Sequence, residues 1–464
     1  MSLDDKEVFF PVESLTGLGH FNRTGKLVRE MVKDGMNVTV TSGSFVDPER
    51  FFAGADCKQI PQIAFKNNGK WFTLGADGSR TLQENFNEAA RKDERTAAQL
   101  KVVNEKHPDI VLTEFWPFDR PGLDQEMEAV LEVTKPDSAH GLRLVSVRDV
   151  LDTPYDMDKA KNPDIERQHK ERQAWAIREI NEKFDAVLIH GDPNFIPLSE
   201  TCPQAADIKV PVIYTGYVID DLPKRTVAPG DKHAPIVVSC GSGVDGQELV
   251  YSFLTAWQRL LDKRNTSPDI AYVVDRPVHI ICGPRFDPTA RREVDEWGEI
   301  LRAYGVDLKV DGYRDDFTSV LAGAAFSVSL AGYNTTLETL AMDVPSLMVP
   351  KYGFVQGQLR FSTEQLYRLE RLHEKDMASY AHPNEVQNAK IFGQRLVREF
   401  IYQTRGDKSR PKLNFDGAKN TVAAIHDLLK TKNAAAAPEP VTVASSTPEA
   451  AAPARLPTPG GVPA

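Results

Sequence analysis

Ser329-Leu330-Ala331-Gly332-Tyr333-Asn334-Thr335-Thr336-Leu337-Glu338 runs from an apolar, strand-like segment through one glycine into a helix-favouring stretch. A strand that ends in a Gly turn and feeds a helix is the building unit of a parallel α/β sheet. The first N–H groups of a helix have no partner inside it. Thr335 and Thr336 add hydroxyls beside them, and together these groups suit a diphosphate. Glu338 follows about one turn later, where its carboxylate can accept two hydrogen bonds from a ribose diol. The same residues also match a capping box, with Thr335 as N-cap and Glu338 three residues on.

The strand–helix alternation extends in both directions from this unit. Upstream in the same half, strands are predicted at 236–238, 279–281, 308–310 and 327–329, with a helix from about Glu248. Ser346-Leu347-Met348 supplies the next strand, and residues 385–402 and 418–429 have helical periodicity. Residues 220–235 are polar and carry Pro223, Pro229 and Pro235, which marks a linker. Before it, strands are predicted at 8–12, 38–40, 110–112, 144–147, 186–189 and 212–214, with helical stretches at 84–105 and 164–183. The expected architecture is α/β, two Rossmann-like domains facing each other across a cleft, each on its own parallel sheet. The boundaries read as 1–219, a linker at 220–235, a second domain at 236–374 and C-terminal helices at 375–432. Residues 433–464 are mostly Ala, Pro, Ser and Thr, and such a tail is expected to be disordered.

Composition narrows the function. The 464 residues carry 56 Lys+Arg against 66 Asp+Glu, a net charge of −10, which argues against a general nucleic-acid binder. Cys57, Cys202, Cys240 and Cys282 form no CxxC pair, so neither a structural zinc site nor a disulfide framework is expected. No apolar run approaches the roughly 20 residues that span a bilayer. The expected location is cytoplasmic, with peripheral contact at the inner face of the membrane left open.

The first domain opens with a second Gly turn, Thr16-Gly17-Leu18-Gly19-His20. Gly17-x-Gly19 begins like a dinucleotide fingerprint, but Asn22 stands at the third glycine position and strand 38–40 ends without an acidic residue. A nicotinamide cofactor is therefore not expected, and no P-loop occurs. His20 falls at a helix start, where the positive helix end disfavours its protonation and suits a general base; a helix-capping surface histidine is the plainer reading. Glu114, Arg148-Asp149 and His190-Gly191-Asp192 follow predicted strands, at the sheet edge where open parallel sheets bind ligands.

Taken together, Thr16 to His20, Gly241-Ser242-Gly243, Gly312-Tyr313 with Phe317, and Gly332 to Glu338 with Val344-Pro345, Val349-Pro350 and Gln358 resemble the GT-B glycosyltransferases. The likeness is strongest to the MurG-like branch, glycosyltransferase family 28. It implies an inverting, metal-independent enzyme that moves a sugar from a nucleotide donor, a UDP-sugar, to an acceptor hydroxyl. By position, the resemblance makes His20 the base, with Glu114 as a second catalytic candidate. It assigns donor contacts to Gly17, Gly19, Ser242, Gly243, Arg285, Tyr313, Arg314, Gly332, Tyr333, Asn334, Thr335, Thr336, Glu338 and Gln358. Gly332 to Thr336 would hold the diphosphate, Glu338 the ribose and Gln358 the sugar hydroxyls, and the backbone at Arg314 would meet the uracil. No metal and no cofactor beyond the nucleotide-sugar co-substrate is implied. The acceptor stays open among glycans, lipid-linked and small molecules, because Leu18, Val244-Asp245, Arg360 and residues 57–95 and 152–178 depart from the family pattern. A UDP-sugar 2-epimerase and a catalytically inactive nucleotide-sugar binder are the alternatives.

The composition of the tail gives a direct expectation. Truncation after about Asn433 should leave the melting temperature and donor turnover nearly unchanged, as a thermal melt and an assay of the shortened chain would show.

Overall fold

Short apolar runs alternating with helices assemble into two parallel sheets in the computed structural model. It describes residues 5–436 apart from 14–17, 68, 76–78, 135–140, 152–163, 229, 242, 244–245, 356 and 406–410. Gly17, Ser242 and the tail from 437 onward lie outside the described residues.

The first sheet holds β1 (Glu7–Pro11), β2 (Asn37–Ser42) and β3 (Asp56–Gln59). A separate antiparallel meander of β4 (Phe65–Asn67), β5 (Lys70–Leu74) and β6 (Arg80–Leu82) follows. The sheet resumes with β7 (Ile110–Glu114), β8 (Leu142–Arg148), β9 (Ala186–His190) and β10 (Val212–Tyr214). Its order is β10-β9-β8-β7-β1-β2-β3, parallel throughout. Helices α1 (Gly19–Lys33), α2 (Glu88–Lys106), α3 (Asp124–Val133) and α4 (Ile165–Lys183) cover its two faces. Val8 and Phe10 pack on one face with Leu27, Val28 and Met31 of α1, while Phe9 packs on the other with Val102, Met127 and Ile177. Coverage on both sides is why these strands are apolar runs rather than alternating ones.

The second sheet contains β11 (Ile236–Ser239), β12 (Val278–Ile281), β13 (Leu308–Asp311), β14 (Phe326–Leu330) and β15 (Ser346–Val349). Beyond the hairpin of β16 (Tyr352–Val355) and β17 (Gln358–Phe361), β18 (Ser379–Tyr380) completes it. The order is β13-β12-β11-β14-β15-β18, again parallel. Its helices are α5 (Gln247–Leu261), α6 (Pro268–Val274), α7 (Pro288–Ala303), α8 (Phe317–Ala322), α9 (Tyr333–Ala341) and α10 (Thr363–Glu374). Then come α11 (Pro383–Val386), α12 (Ala389–Thr404) and α13 (Gly417–Ala436). Phe392, Leu396 and Phe400 of α12 join the core of the second sheet. The last helix returns to the first domain: Val422, Ile425 and Leu429 of α13 join the core beside α1, and His426 meets Asp34 at 2.8 Å.

Local chemistry moved some expected boundaries. The helix expected over 84–105 starts at Glu88, because the Asn87 side chain accepts from Ala90 N. The single helix expected over 385–402 is two, since Asn388 caps α12 by accepting from the N–H groups of Lys390 and Ile391. The helix expected to end near 429 continues to Ala436, four residues into the segment expected to be a disordered tail. No strand was expected around Gln358, yet Gly357, at φ 75°, turns the β16–β17 hairpin there.

The two domains meet through buried charge. Arg368 of α10 forms a two-pronged pair with Asp149, both contacts 2.9 Å, and also donates to Glu364. Arg368 and Asp149 are 1% and 0% exposed. Arg371 pairs with Glu200 at 2.8 Å, and the Tyr333 hydroxyl donates to the His190 carbonyl at 3.0 Å. Arg368→Met leaves the buried Asp149 without its cation and Glu364 with Arg148 alone, and breaking a buried pair in this way costs about 3–5 kcal/mol. A clear drop in melting temperature is expected, and replacing Asp149 by Asn in the same chain should recover part of it.

Candidate active site

The C-terminal ends of the first sheet's strands face α9 of the second domain. β7 ends in Glu114, whose side chain is 1% exposed, and α1 begins at Gly19, which makes His20 its second residue. His20 Nδ1 lies 2.6 Å from Glu114 Oε1. The same oxygen accepts from Arg23, and Arg120 approaches Oε2 at 3.1 Å. Burial alone would push the Glu114 carboxyl up, but the charges of His20, Arg120 and Arg23 overcome it and hold the group below the ordinary carboxylate range. An ionised Glu114 can only accept, so Nδ1 of His20 carries the ring proton and Nε2 keeps its lone pair. Burial lowers the His20 imidazole to about 4, with Glu114 opposing and Arg120 and Arg148 assisting. About a quarter of the side chain, 26%, still meets solvent. A neutral, partly exposed imidazole with a fixed tautomer is equipped to take a proton at Nε2.

The surrounding loop is strained. Phe115 and Arg120 have φ of 63° and 66°, a left-handed conformation that non-glycine residues rarely adopt. Phe115 packs edge-on to His20 with centroids 5.5 Å apart, and the guanidiniums of Arg148 and Arg23 lie 4.8 and 5.3 Å from its ring centre.

Across the interface, Gly332 is the N-cap of α9, and no side chain caps the helix. The capping box with Thr335 as N-cap is therefore not formed. Thr336 Oγ1 is buried with no hydrogen-bond partner among the described residues. Asn334 Nδ2 donates to the Gly19 carbonyl at 3.4 Å, which joins the two Gly turns. Lys26 of α1, whose side chain is 5% exposed, reaches Asn334 Oδ1 at 3.4 Å, Glu338 Oε1 at 3.3 Å and Asp220 at 4.0 Å. Burial raises the Glu338 carboxyl, with Lys26 pulling the other way.

Gly19, His20, Glu114, Gly332, Tyr333, Asn334, Thr335, Thr336 and Glu338 thus lie on the elements that form this one interface. Tyr333 is buried, and its hydroxyl is engaged with His190. Arg285 and Tyr313 also face first-domain residues: Arg285 lies over Phe45 at 4.4 Å, and Arg50 over the Tyr313 ring at 5.5 Å. The Arg314 side chain is occupied by Asp311 and Asp316, at 2.9 and 2.6 Å, which leaves its backbone for any ligand contact. Gly243 has φ 90, and a Cβ there would stand 2.6 Å from the Cys282 carbonyl, so the second Gly turn has room for no other residue. Gln358 is exposed at the start of β17. Of the other strand-end residues, Asp149 is committed to Arg368, and the buried His190 ring to Ser146 and Thr215 at 2.8 Å each. Sequence reasoning missed Arg23, Lys26, Arg120 and Arg368. For the first two a signal existed: with His20 they recur every three residues, along one side of a helix that also carries Phe21, Leu27, Val28 and Met31.

Similar architecture occurs in solved structures. MurG from Acinetobacter baumannii aligns over 91% of this chain and 99% of its own, at 13% identity and a TM-score of 0.53. The calicheamicin glycosyltransferase CalG4 aligns over 94% and 100%, at 14% identity and a TM-score of 0.53. The chain has the GT-B fold. A putative UDP-N-acetylglucosamine 2-epimerase from Listeria monocytogenes shares it, over 92% and 97%, at 12% identity and a TM-score of 0.52. Compared by sequence, the chain matches no family model and no curated protein. Among the described residues, no helix of this GT-B chain is long and apolar enough to cross a membrane.

Proposed function

We propose that the chain is an inverting glycosyltransferase that uses a nucleotide sugar, with UDP as the nucleotide, and requires no metal. The observation that carries this reading is the His20–Glu114 pair standing beside the start of α9, with Asn334 on the Gly19 carbonyl. In this mechanism His20 Nε2 takes the proton of an acceptor hydroxyl. The oxygen attacks the anomeric carbon from the face opposite the diphosphate, the bond from that carbon to the phosphate oxygen breaks, and UDP leaves. Negative charge developing on the diphosphate is met by the first-turn N–H groups of α9 and the hydroxyls of Thr335 and Thr336. Glu338 holds the ribose diol. GT-B neighbours such as the UDP-glucosyltransferase from Polygonum tinctorium support the choice of nucleotide. Four free cysteines suit a reducing cytoplasm. The acceptor is a glycan, lipid-linked or small-molecule hydroxyl. Incubation with UDP-sugars tests the reaction: free UDP with a new glycoside supports transfer, and an isomerised nucleotide sugar supports the epimerase chemistry instead.

Two expectations follow from the residues. Glu338→Ala should weaken UDP binding by about tenfold to hundredfold, the worth of a hydrogen bond to a charged group. Lys26→Met breaks the same ion pair but keeps the carboxylate, so it should lower the melting temperature without that loss of affinity. Calorimetric titration of both variants with UDP separates a ribose contact from an interface contact.

His20→Ala and His20→Gln should each lower turnover by about 10²–10⁴-fold with UDP affinity unchanged, since an amide cannot take the proton. In the parent, kcat/KM should hold through neutral pH and fall as the pH drops through about 4, where His20 becomes protonated. Near-normal turnover of both variants would contradict the assignment.

A further inference from the structure

A buried carboxyl beside an imidazole has two stable arrangements. As a carboxylate it accepts the Nδ1 proton and leaves Nε2 basic; as a neutral acid, with one more proton taken from solvent, it donates its O–H to Nδ1, and the ring proton then sits on Nε2. Only the first arrangement yields a base at Nε2, and burial of Glu114 favours the second. We propose that Arg23 and Arg120 are positioning residues for the His20 base: they hold Glu114 in its accepting form and so fix the Nδ1–H tautomer of His20. This rests on the reading of His20 as the base.

The geometry carries the assignment. Arg23 donates to Oε1, the oxygen that also receives His20 Nδ1, while Arg120 stands 3.1 Å from Oε2 as an ion pair outside hydrogen-bond geometry, so a guanidinium charge faces each oxygen. Arg23 is 0% exposed, and its Nε and Nη1 have no partner among the described residues. A guanidinium buried with part of its donor set unspent is costly, and Arg23 is paired ionically with Glu114. Arg120 reaches Glu114 from a backbone at φ 66, and a second side-chain nitrogen donates to the Glu13 carbonyl at 2.9 Å, which anchors it. Strain of this kind persists where surrounding contacts over-determine it. The charged groups that act on His20 or Glu114 come from each neighbouring element: Arg23 on α1 itself, Glu114 and Arg120 from β7 and the loop after it, Arg148 at the end of β8, and Glu364 on α10. Glu364 is itself paired with Arg368 and lies 3.5 Å from Arg148. Removing Arg120 therefore takes away one cation that stabilises Glu114 and one that repels a protonated His20.

The full chain labelled with ¹⁵N-histidine gives the readout by NMR, with His20 assigned by its loss in His20→Gln and no substrate present. In the parent at pH 7, Nδ1 should be protonated and Nε2 bare. In Arg120→Gln the His20 titration midpoint should move up by about one pH unit, and as the pH falls through it a population with Nδ1 bare and the proton on Nε2, against a neutral Glu114, should appear. Arg120→Lys, which keeps the charge, should retain the parent tautomer. With an acceptor in hand, Arg120→Gln should lower kcat about tenfold and leave UDP affinity unchanged. A parent with its proton on Nε2, or an Arg120→Gln spectrum that keeps the parent tautomer and midpoint while only the melting temperature falls, would overturn the proposal. Because the spectrum needs no turnover, it stays separate from the activity of His20→Gln: an active His20→Gln overturns the base reading, and an unmoved tautomer overturns this one.

Discussion

A carboxylate sealed at the end of a central strand is the constraint around which this molecule is arranged. Glu114 is nearly inaccessible to solvent, yet it stays ionised because His20, Arg120 and Arg23 surround it. Leaving such a charge without partners would cost several kcal/mol. The helix that supplies His20 and Arg23, and the strained loop that supplies Arg120, are therefore tied to that one group. The fold satisfies the ion first, and the position of the His20 imidazole follows from how it is satisfied.

Helix α1 extends the arrangement to the second domain. Its apolar side is set into the core with Leu27, Val28 and Met31, which fixes the helix against the first sheet. Along another side it presents His20, Arg23 and Lys26, and Lys26 ends on Asn334 and Glu338 of α9. One helix therefore connects the candidate base to the candidate donor seat. The pair of Arg368 with Asp149, and the return of α13 onto α1, hold the domains in the register that this connection needs.

Much of the fold was legible in the sequence because parallel strands buried on both faces must be apolar runs. Ile110 to Leu112 and Ala186 to Ile189 show that requirement directly, and both lie within strands of the first sheet. His20 and Glu114 were legible as separate strand-end and helix-start residues, but 94 positions separate them, and no local pattern declares their contact. Arg23, Lys26 and Arg120 were missed for the opposite reason: a charged residue within or beside an amphipathic helix reads as solvated until its buried partner is known. The short meander at β4–β6 and the β16–β17 hairpin escaped because their strands, such as Lys70–Leu74, Arg80–Leu82 and Gln358–Phe361, mix polar with apolar residues and form no apolar run. Thr335 and Glu338 spelled a capping box that the backbone does not form, since Gly332 occupies the N-cap position.

The central claim is that the nucleotide's diphosphate sits on the first turn of α9, facing His20 across the interface. A crystal structure of the full chain with UDP tests it most directly. The account predicts phosphate oxygens within hydrogen-bond distance of the amides and hydroxyls between Gly332 and Thr336, the ribose on Glu338, and the His20–Glu114 contact intact. UDP bound away from α9, or a His20 whose Nδ1 has left Glu114 in the complex, would contradict it.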